Sequence, residues 1–321
     1  MAAAAAAAAA REPEVIRDKA AMRAWSRRRR AEGKAVALVP TMGFLHDGHL
    51  SLVSAAAAAA SPGPVAVVVS IYVNPSQFAP TEDLATYPSD FAGDLRKLAA
   101  TGAVAAVFSP PDLYVRGPAG RPAGAAGGAV SCLEEAGGNA HETWIRVERL
   151  EKGLCGSSRP VFFRGVATVV AKLFNIVEPD IAVFGKKDYQ QWRVVCRMVR
   201  DLDFAIEIIG SEIVREADGL AMSSRNVHLS HEDREKALSI SRSLANARTA
   251  TLSGNGHSQQ IKDQIVQSLT EAGGQIDYVE VVDKESLVPV ERIDRPVVIC
   301  VAAWFGKVRL IDNIEIQPPS N

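Results

Sequence analysis

Cysteine is scarce in this sequence. The chain has only four, Cys132, Cys155, Cys196 and Cys300, and no two of them form a C-x-x-C pair. Such widely spaced thiols argue against a disulfide-built scaffold and against a cysteine zinc site, and they are typical of a reducing compartment. We therefore expect a cytoplasmic protein.

An excess of charge and a long apolar run are also missing. Lys and Arg number 36 against 37 Asp and Glu, so nothing indicates a nucleic-acid or anionic-membrane partner. The one basic cluster, residues 27–30, is interpreted as a solvated helix face. The alanine runs are too weakly apolar to predict a membrane span. We expect neither nucleic acid nor a membrane as a partner.

Two segments have strongly biased composition. The chain starts with Met and nine alanines, without the basic start and leucine-rich core of a signal peptide. We interpret residues 1–14 as a disordered tail without a targeting role. Residues 117–141 are rich in Gly, Ala and Pro and are interpreted as a flexible surface insertion.

Short apolar runs alternate with helical segments over residues 15–211, which predicts an α/β fold with a Rossmann-like parallel sheet. The predicted strands are 35–39, 65–73, 104–108, 181–184 and 205–209, and the predicted helices are 50–60, 90–100, 168–177 and 189–200. Ligands of such sheets bind beyond the carboxyl ends of the strands. From residue 212 to 321 the pattern becomes helix, Gly/Ser linker, helix and three strands, which predicts a smaller α+β domain.

The first candidate site segment is 39–53, where a strand enters a turn with two histidines and then a helix. The helix start attracts phosphate, and Gly43 and Gly48 let the backbone approach a ligand. His46 and His49 straddle the helix start and could neutralise charge on a phosphorus centre. A strand–helix turn with two capping histidines is the alternative. The glycine-framed pair favours a nucleotide site.

The second segment, 70–78, ends a buried strand at Asn74 and Pro75. The side-chain amides of Asn74 and Gln77 suit a substrate with hydroxyl and carboxylate groups. A plain polar turn remains open as the alternative.

In the third segment, 183–191, a strand ends at Gly185 and a helix begins. Lys186 and Lys187 at a helix start are electrostatically unfavourable unless an anion binds there, which favours a phosphate role over surface decoration. Asp188 is placed either to cap the helix or to bind a ribose hydroxyl.

The fourth segment, 214–225, ends in Ser223, Ser224 and Arg225. Two hydroxyls and a guanidinium on a loop can clamp a triphosphate, and such loops often close over ATP. A serine-rich linker is the alternative interpretation.

Taken together, the stretches PTMGFLHDGH, SIYVNPSQF, FGKKDYQQ and READGLAMSSRN resemble the pantoate–β-alanine ligase family of the nucleotidyl-transferase superfamily. The resemblance covers about residues 15–316. It implies that pantoate attacks MgATP to give pantoyl adenylate, and that β-alanine then gives pantothenate and AMP. It also implies a homodimer, with residues 212–321 as a lid and dimer-associated domain.

The resemblance also assigns roles to individual residues. The implied catalytic residues are His49 as the acid, with His46, Lys187, Ser223, Ser224 and Arg225. The implied ATP contacts are Met42, Gly43, His46, Gly48, His49, Gly185, Lys187, Asp188, Val214, Met222, Ser223, Ser224 and Arg225. The implied substrate contacts are Pro40, Thr41, Met42, Asn74, Gln77 and Gln191. The family's acidic cluster is thinned here, which leaves Asp94 as the magnesium contact.

The sequence departs from the family pattern at two further positions. Lys186 stands where the family often has Glu, and Phe162 stands where many members have His. An adenylyltransferase that moves AMP onto a phosphate, or a nucleotide-binding protein without catalysis, remain as alternatives. The first would not need Gln77 and Gln191, and intact His46, His49 and Lys187 speak against the second.

Overall fold

A computed structural model of the protein describes residues 12–79, 83–114, 141–254 and 256–318. The chain divides into two compact units. The first comprises residues up to 146 with 164–184 and 198–211, and the second comprises 147–163, 185–197 and 212–321. Two stretches predicted within the first domain, 147–163 and 185–197, thus belong to the second unit. The reason is packing, because Leu154 and Tyr189 share a buried cluster with Val282, Val298 and Cys300.

The first unit is built on a six-stranded sheet in the order β1-β4-β3-β2-β5-β6. Its strands are β1 (Glu14–Ile16), β2 (Ala35–Thr41), β3 (Val65–Ile71), β4 (Val104–Phe108), β5 (Ile181–Gly185) and β6 (Glu207–Ser211). β2 pairs in parallel with both β3 and β5, and β4 pairs in parallel with β3 and β1. The central strands are almost entirely buried, as expected for a parallel sheet covered on both faces. The predicted Rossmann-like fold is confirmed.

The predicted tail is too long by at least one residue. Glu14 lies in β1 and pairs with Ala106 of β4, because β1 closes the edge of the sheet. Residues 1–11 lie outside the described part of the chain, and so does most of the predicted insertion, residues 115–140.

The helices of the chain are α1 (Lys19–Ala31), α2 (Asp47–Ala57), α3 (Phe91–Thr101), α4 (Leu154–Ser158), α5 (Phe162–Val177), α6 (Tyr189–Asp201), α7 (His231–Leu252) and α8 (Ser258–Glu271). Helix α5 begins six positions before the predicted start at 168. The basic cluster forms the last turn of α1, where positive charge complements the helix dipole. Arg27 pairs with Glu178 at 2.7 Å and stays exposed, whereas Arg29 and Arg30 are half-buried, so the interpretation as a solvated helix face holds for only part of the cluster.

The second unit contains an antiparallel sheet of β7 (Gln275–Asp283), β8 (Val297–Phe305) and β9 (Val308–Ile316), in that order. Helices α7 and α8 bury their apolar side chains against this sheet, among them Leu244, Ile261 and Val301. The predicted α+β architecture of the C-terminal part is therefore confirmed. No helix among the described residues is long and apolar enough to cross a membrane.

Candidate active site

The turn that follows β2 is held by a buried carboxylate. Asp94, in the first turn of α3 and only 1% exposed, accepts the backbone N–H of Phe44 at 2.8 Å and that of Leu45 at 2.7 Å. Gly43 has φ +87°, and a Cβ there would lie 3.1 Å from both Asp94 Oδ2 and Ile71 Cγ2. Only glycine combines that backbone conformation with so little space. Phe44 is also left-handed, with φ +51°, so the carboxylate stabilises a strained turn.

The two histidines at the start of α2 are in direct contact. Their ring centroids lie 4.1 Å apart, and His49 Nδ1 accepts the backbone N–H of His46 at 3.3 Å. A ring nitrogen that accepts a hydrogen bond carries no proton, so this contact assigns the proton to Nε2 whenever the His49 ring is neutral. Both rings are half-buried, and Gly48 lies between them in the first turn. This arrangement leaves Nε2–H as the hydrogen-bond donor of His49.

A buried amide network follows β3. Asn74 donates from Nδ2 to Gln77 Oε1 at 3.0 Å and to the Gly165 carbonyl at 3.3 Å. Its own Oδ1 accepts from the Tyr114 hydroxyl at 2.8 Å. Gln77 Nε2 in turn donates to the Met42 sulfur at 3.3 Å. Asn74 therefore orients Gln77, and the structure brings the predicted Met42, Asn74 and Gln77 together.

Two residues of this network were not predicted. Tyr114 is 3% exposed, and its hydroxyl helps to orient the Asn74 amide, whose oxygen also accepts from the Ser76 hydroxyl at 3.0 Å. Gly165 lies so close to the backbone of Ser76 that any side chain there would collide with it. The sequence signals were weak: a single tyrosine ahead of the Gly-rich stretch and a single glycine within a helix pattern.

Within the first unit, a surface depression lies where β2 and β3 end. Met42 and Gly43 line it, together with Tyr72, Asp90 and Asp94. Pro40 and Thr41 are the last residues of β2, and the Thr41 hydroxyl donates to the Ser70 carbonyl at 2.8 Å. The predicted location beyond the carboxyl ends of the strands therefore holds for these residues.

Lys186 and Lys187 have different surroundings. Lys186 Nζ bonds Glu212 at 2.6 Å and Glu315 at 2.7 Å. Burial lowers the pKa of Lys186, but the hydrogen bonds and charges of these two carboxylates together raise it above its ordinary value. Lys187 forms no ion pair with any residue in the described ranges, and it lines a depression of the second unit. Two carboxylates therefore balance the charge of Lys186 within the protein, and a phosphate role for the two lysines stays a prediction.

The loop with Ser223, Ser224 and Arg225 starts from a short paired segment. Met222 N–H donates to the Val214 carbonyl at 3.0 Å, and Arg215 bridges to Ala221. Ser223 accepts the N–H of Arg225 at 3.3 Å and caps the 3-10 turn Ser224–His228. The backbone of the loop is thus held by hydrogen bonds, and the guanidinium-bearing Arg225 lies at the start of the 3-10 turn.

One depression in the second unit joins the third and fourth predicted segments. The predicted residues that line it are Lys187, Asp188, Gln191, Ser223 and Arg225. Arg159 and Arg309 line it as well, as do Asp312 and Asn313 of β9, none of which were predicted. The sequence signal for Asp312 and Asn313 was that two polar residues follow each other within the apolar run 308–316. Arg309 is paired with Asp277 at 2.6 Å, so the cations that make this depression suited to an anionic ligand are Lys187, Arg159 and Arg225.

A protein-bound metal finds little support in these groups. The part of the chain that the structure describes contains no set of three or more His, Cys, Asp or Glu placed to hold a metal ion. Asp94 directs both of its oxygens to backbone N–H groups. Its assignment as a magnesium contact stays a prediction.

Comparison with known proteins agrees with the resemblance. A family model described as "Pantoate-beta-alanine ligase" matches residues 14–315. A pantoate–β-alanine ligase of Oryza sativa subsp. japonica is 82% identical, covering 98% of this chain and 100% of that protein. One of Arabidopsis thaliana is 64% identical, covering 95% and 99%.

Solved structures show the same relationship. A pantothenate synthetase of Thermus thermophilus has a TM-score of 0.80 and 38% identity, covering 95% of this chain and 100% of that one. A pantoate-beta-alanine ligase of Francisella tularensis, solved in complex with "Beta-gamma ATP and Beta-alanine", has a TM-score of 0.66 and 27% identity, covering 94% and 97%. This chain therefore belongs to the pantoate–β-alanine ligase family.

Proposed function

We propose that the protein condenses pantoate with β-alanine at the expense of ATP, through pantoyl adenylate, and releases AMP and pyrophosphate. The observation that carries this proposal is the depression of the second unit, where Lys187, Ser223 and Arg225 come together with Gln191. The family membership and the Francisella complex with ATP and β-alanine support the choice of substrates.

In the first step, a carboxylate oxygen of pantoate attacks the α-phosphorus of ATP. The bond between that phosphorus and the bridging oxygen to the β-phosphate breaks, and pyrophosphate leaves with the electron pair. Negative charge grows on the phosphate oxygens, so donors and cations accelerate the step mainly by charge neutralisation and positioning. His49 donates from Nε2, while Lys187 and Arg225 bind the phosphates that leave.

In the second step, the amine of β-alanine attacks the acyl carbon of pantoyl adenylate. The bond to the AMP oxygen breaks, AMP leaves, and the nitrogen loses a proton to form the amide. Gln77 and Gln191 hold the hydroxyl and acyl groups of pantoate during this transfer. The contact with Asn74 supports this role of Gln77. Asn74 donates a hydrogen bond to Gln77 Oε1 at 3.0 Å, which orients the Gln77 amide so that Nε2 points away from Asn74.

Three further expectations follow from the family. Magnesium enters the site together with ATP, as part of the substrate. The protein is a homodimer, and it works in the cytoplasm. Light scattering of the purified protein tests the homodimer, and imaging of a tagged full-length chain tests the location.

A pyrophosphate-release assay tests the reaction itself. With ATP and pantoate we expect one equivalent of pyrophosphate per active site, and continuous release with AMP only once β-alanine is added. An adenylyltransferase would transfer AMP to a phosphate acceptor without pantoate. If no pyrophosphate is released with all three substrates present, the proposed reaction is wrong, and the protein binds nucleotide without catalysis.

A further inference from the structure

Strand β9 carries two consecutive buried polar residues, Asp312 and Asn313. They are 4% and 5% exposed, although the strand is otherwise built to pack against an apolar core. Burying an amide or a carboxylate is unfavourable unless each polar group finds a partner. Both side chains form hydrogen bonds, and their partners lie in the third and fourth predicted site segments, 183–191 and 214–225.

Asn313 holds the turn that carries Lys187. Its Nδ2 group donates to the carbonyl of Lys186 at 2.9 Å and to that of Lys187 at 3.0 Å. One amide thus fixes two successive peptide groups at the point where β5 ends and α6 begins. The backbone position of Lys187 is set by a residue 126 positions away in the sequence.

Asp312 holds the base of the loop that carries Arg225. It accepts two hydrogen bonds from the Arg215 guanidinium, at 2.6 Å and 2.9 Å. Arg215 also donates to the Gly219 carbonyl at 3.1 Å and bridges to Ala221, just before the Met222–Arg225 stretch. Because a bidentate guanidinium–carboxylate pair has a defined geometry, it holds Arg215, at the base of the loop, in a fixed position against β9.

Asp312 and Asn313, the two anchors of these segments, are also hydrogen-bonded to each other within β9. Asn313 N–H donates to Asp312 Oδ1 at 2.8 Å, the oxygen that also accepts from Arg215. Lys186 adds a second tie between the turn and the same strand through Glu315, at 2.7 Å. None of these side chains supplies a cation to the depression. They determine where Lys187 and Arg225 are presented.

We infer that Asp312 and Asn313 are positioning residues that preorganise Lys187 and Arg225 for the phosphates of ATP. The inference rests on the proposed function for its ligand. Prealigned cations bind a polyphosphate without first losing backbone freedom, so removing the anchors weakens binding of ATP more than binding of AMP.

The test compares wild type, Asn313→Ala and Lys187→Met by calorimetric titration with ATP and with AMP. We expect Asn313→Ala to weaken ATP binding about tenfold, the scale of the hydrogen bonds lost, and to change AMP binding less than about twofold. Thr251→Val is the matched control, because Thr251 is also buried and bonds a backbone carbonyl in α7, at 2.9 Å, but does not line the depression. We expect unchanged binding of both nucleotides for it.

A double-mutant cycle distinguishes positioning from general destabilisation. If Asn313 acts through Lys187, the combined Asn313→Ala, Lys187→Met variant binds ATP no more weakly than Lys187→Met alone. The same cycle with Asp312→Asn and Arg225→Met tests the other anchor. Additive losses, or equal weakening of ATP and AMP, would overturn the inference. Because these are binding measurements, they stay informative even if the pyrophosphate assay refutes the proposed reaction.

Discussion

Replacing Asp94 by asparagine changes one atom of the side chain that holds the turn after β2. The carboxylate accepts two backbone N–H groups, from Phe44 and Leu45, in a fully buried position. An asparagine amide has one acceptor oxygen and one NH₂ group, so one of those N–H groups faces a donor instead of an acceptor. The negative charge at the start of α3 is lost as well.

The magnitude follows from these contacts. A buried N–H without its charged acceptor destabilises by about 2–4 kcal/mol. The left-handed Phe44 stores about 1–2 kcal/mol, which is released only if the turn leaves its native conformation. That relaxation would move the start of α2 with His46 and His49. We therefore expect a melting temperature lower by roughly 4–15 °C, and pyrophosphate release slower by at least about tenfold.

The assay combines thermal unfolding with pyrophosphate release at increasing magnesium concentrations. Asp18→Asn is the control, because Asp18 caps α1 by accepting the N–H of Ala21 at 2.8 Å in an exposed position. Asparagine caps helices as well as aspartate does, so we expect little change there. Wild-type stability and rate in Asp94→Asn would refute the positioning role. Recovery of the rate at high magnesium would identify Asp94 as a metal ligand instead.

Four further variants test the site. His49→Ala should slow adenylation about 100-fold or more in single-turnover assays, and near-wild-type rates would exclude it as the acid. Gln77→Ala should raise the KM for pantoate, and an unchanged KM would remove it from the pocket. Tyr114→Phe should raise the same KM by about threefold to tenfold without changing the KM for ATP, since it removes one of the two hydroxyl donors, Tyr114 and Ser76, that hold the Asn74 amide oxygen; equal changes would indicate a general defect. The fourth is Glu315→Gln: burial would raise the Glu315 pKa, but hydrogen bonds from Lys186 and Tyr189 lower it below the ordinary 4.5. The ionised Glu315 side chain therefore contributes to the free energy of unfolding above pH 4.5, and this contribution is lost as the pH falls through the lowered pKa. In chemical denaturation, the free energies of unfolding of the wild type and of Glu315→Gln should therefore converge at acid pH.

The sequence by itself determined the parallel sheet, the α+β nature of the C-terminal part, and the strand–turn–helix with His46 and His49. These features depend on local periodicity and on residues close together in the chain, and the motif resemblance pointed to the right family. The sequence did not reveal that the charge of Lys186 is neutralised by Glu212 and Glu315.

Only the tertiary structure decided how the turns of the site are held. Asp94 reaches Phe44 across 50 positions, and Asn313 reaches Lys187 across 126. It also placed residues 147–163 and 185–197 with the C-terminal unit. The physical reason is that a buried polar side chain is stabilised by whichever backbone groups the fold brings to it. The spacing of residues along the sequence does not predict which groups those are.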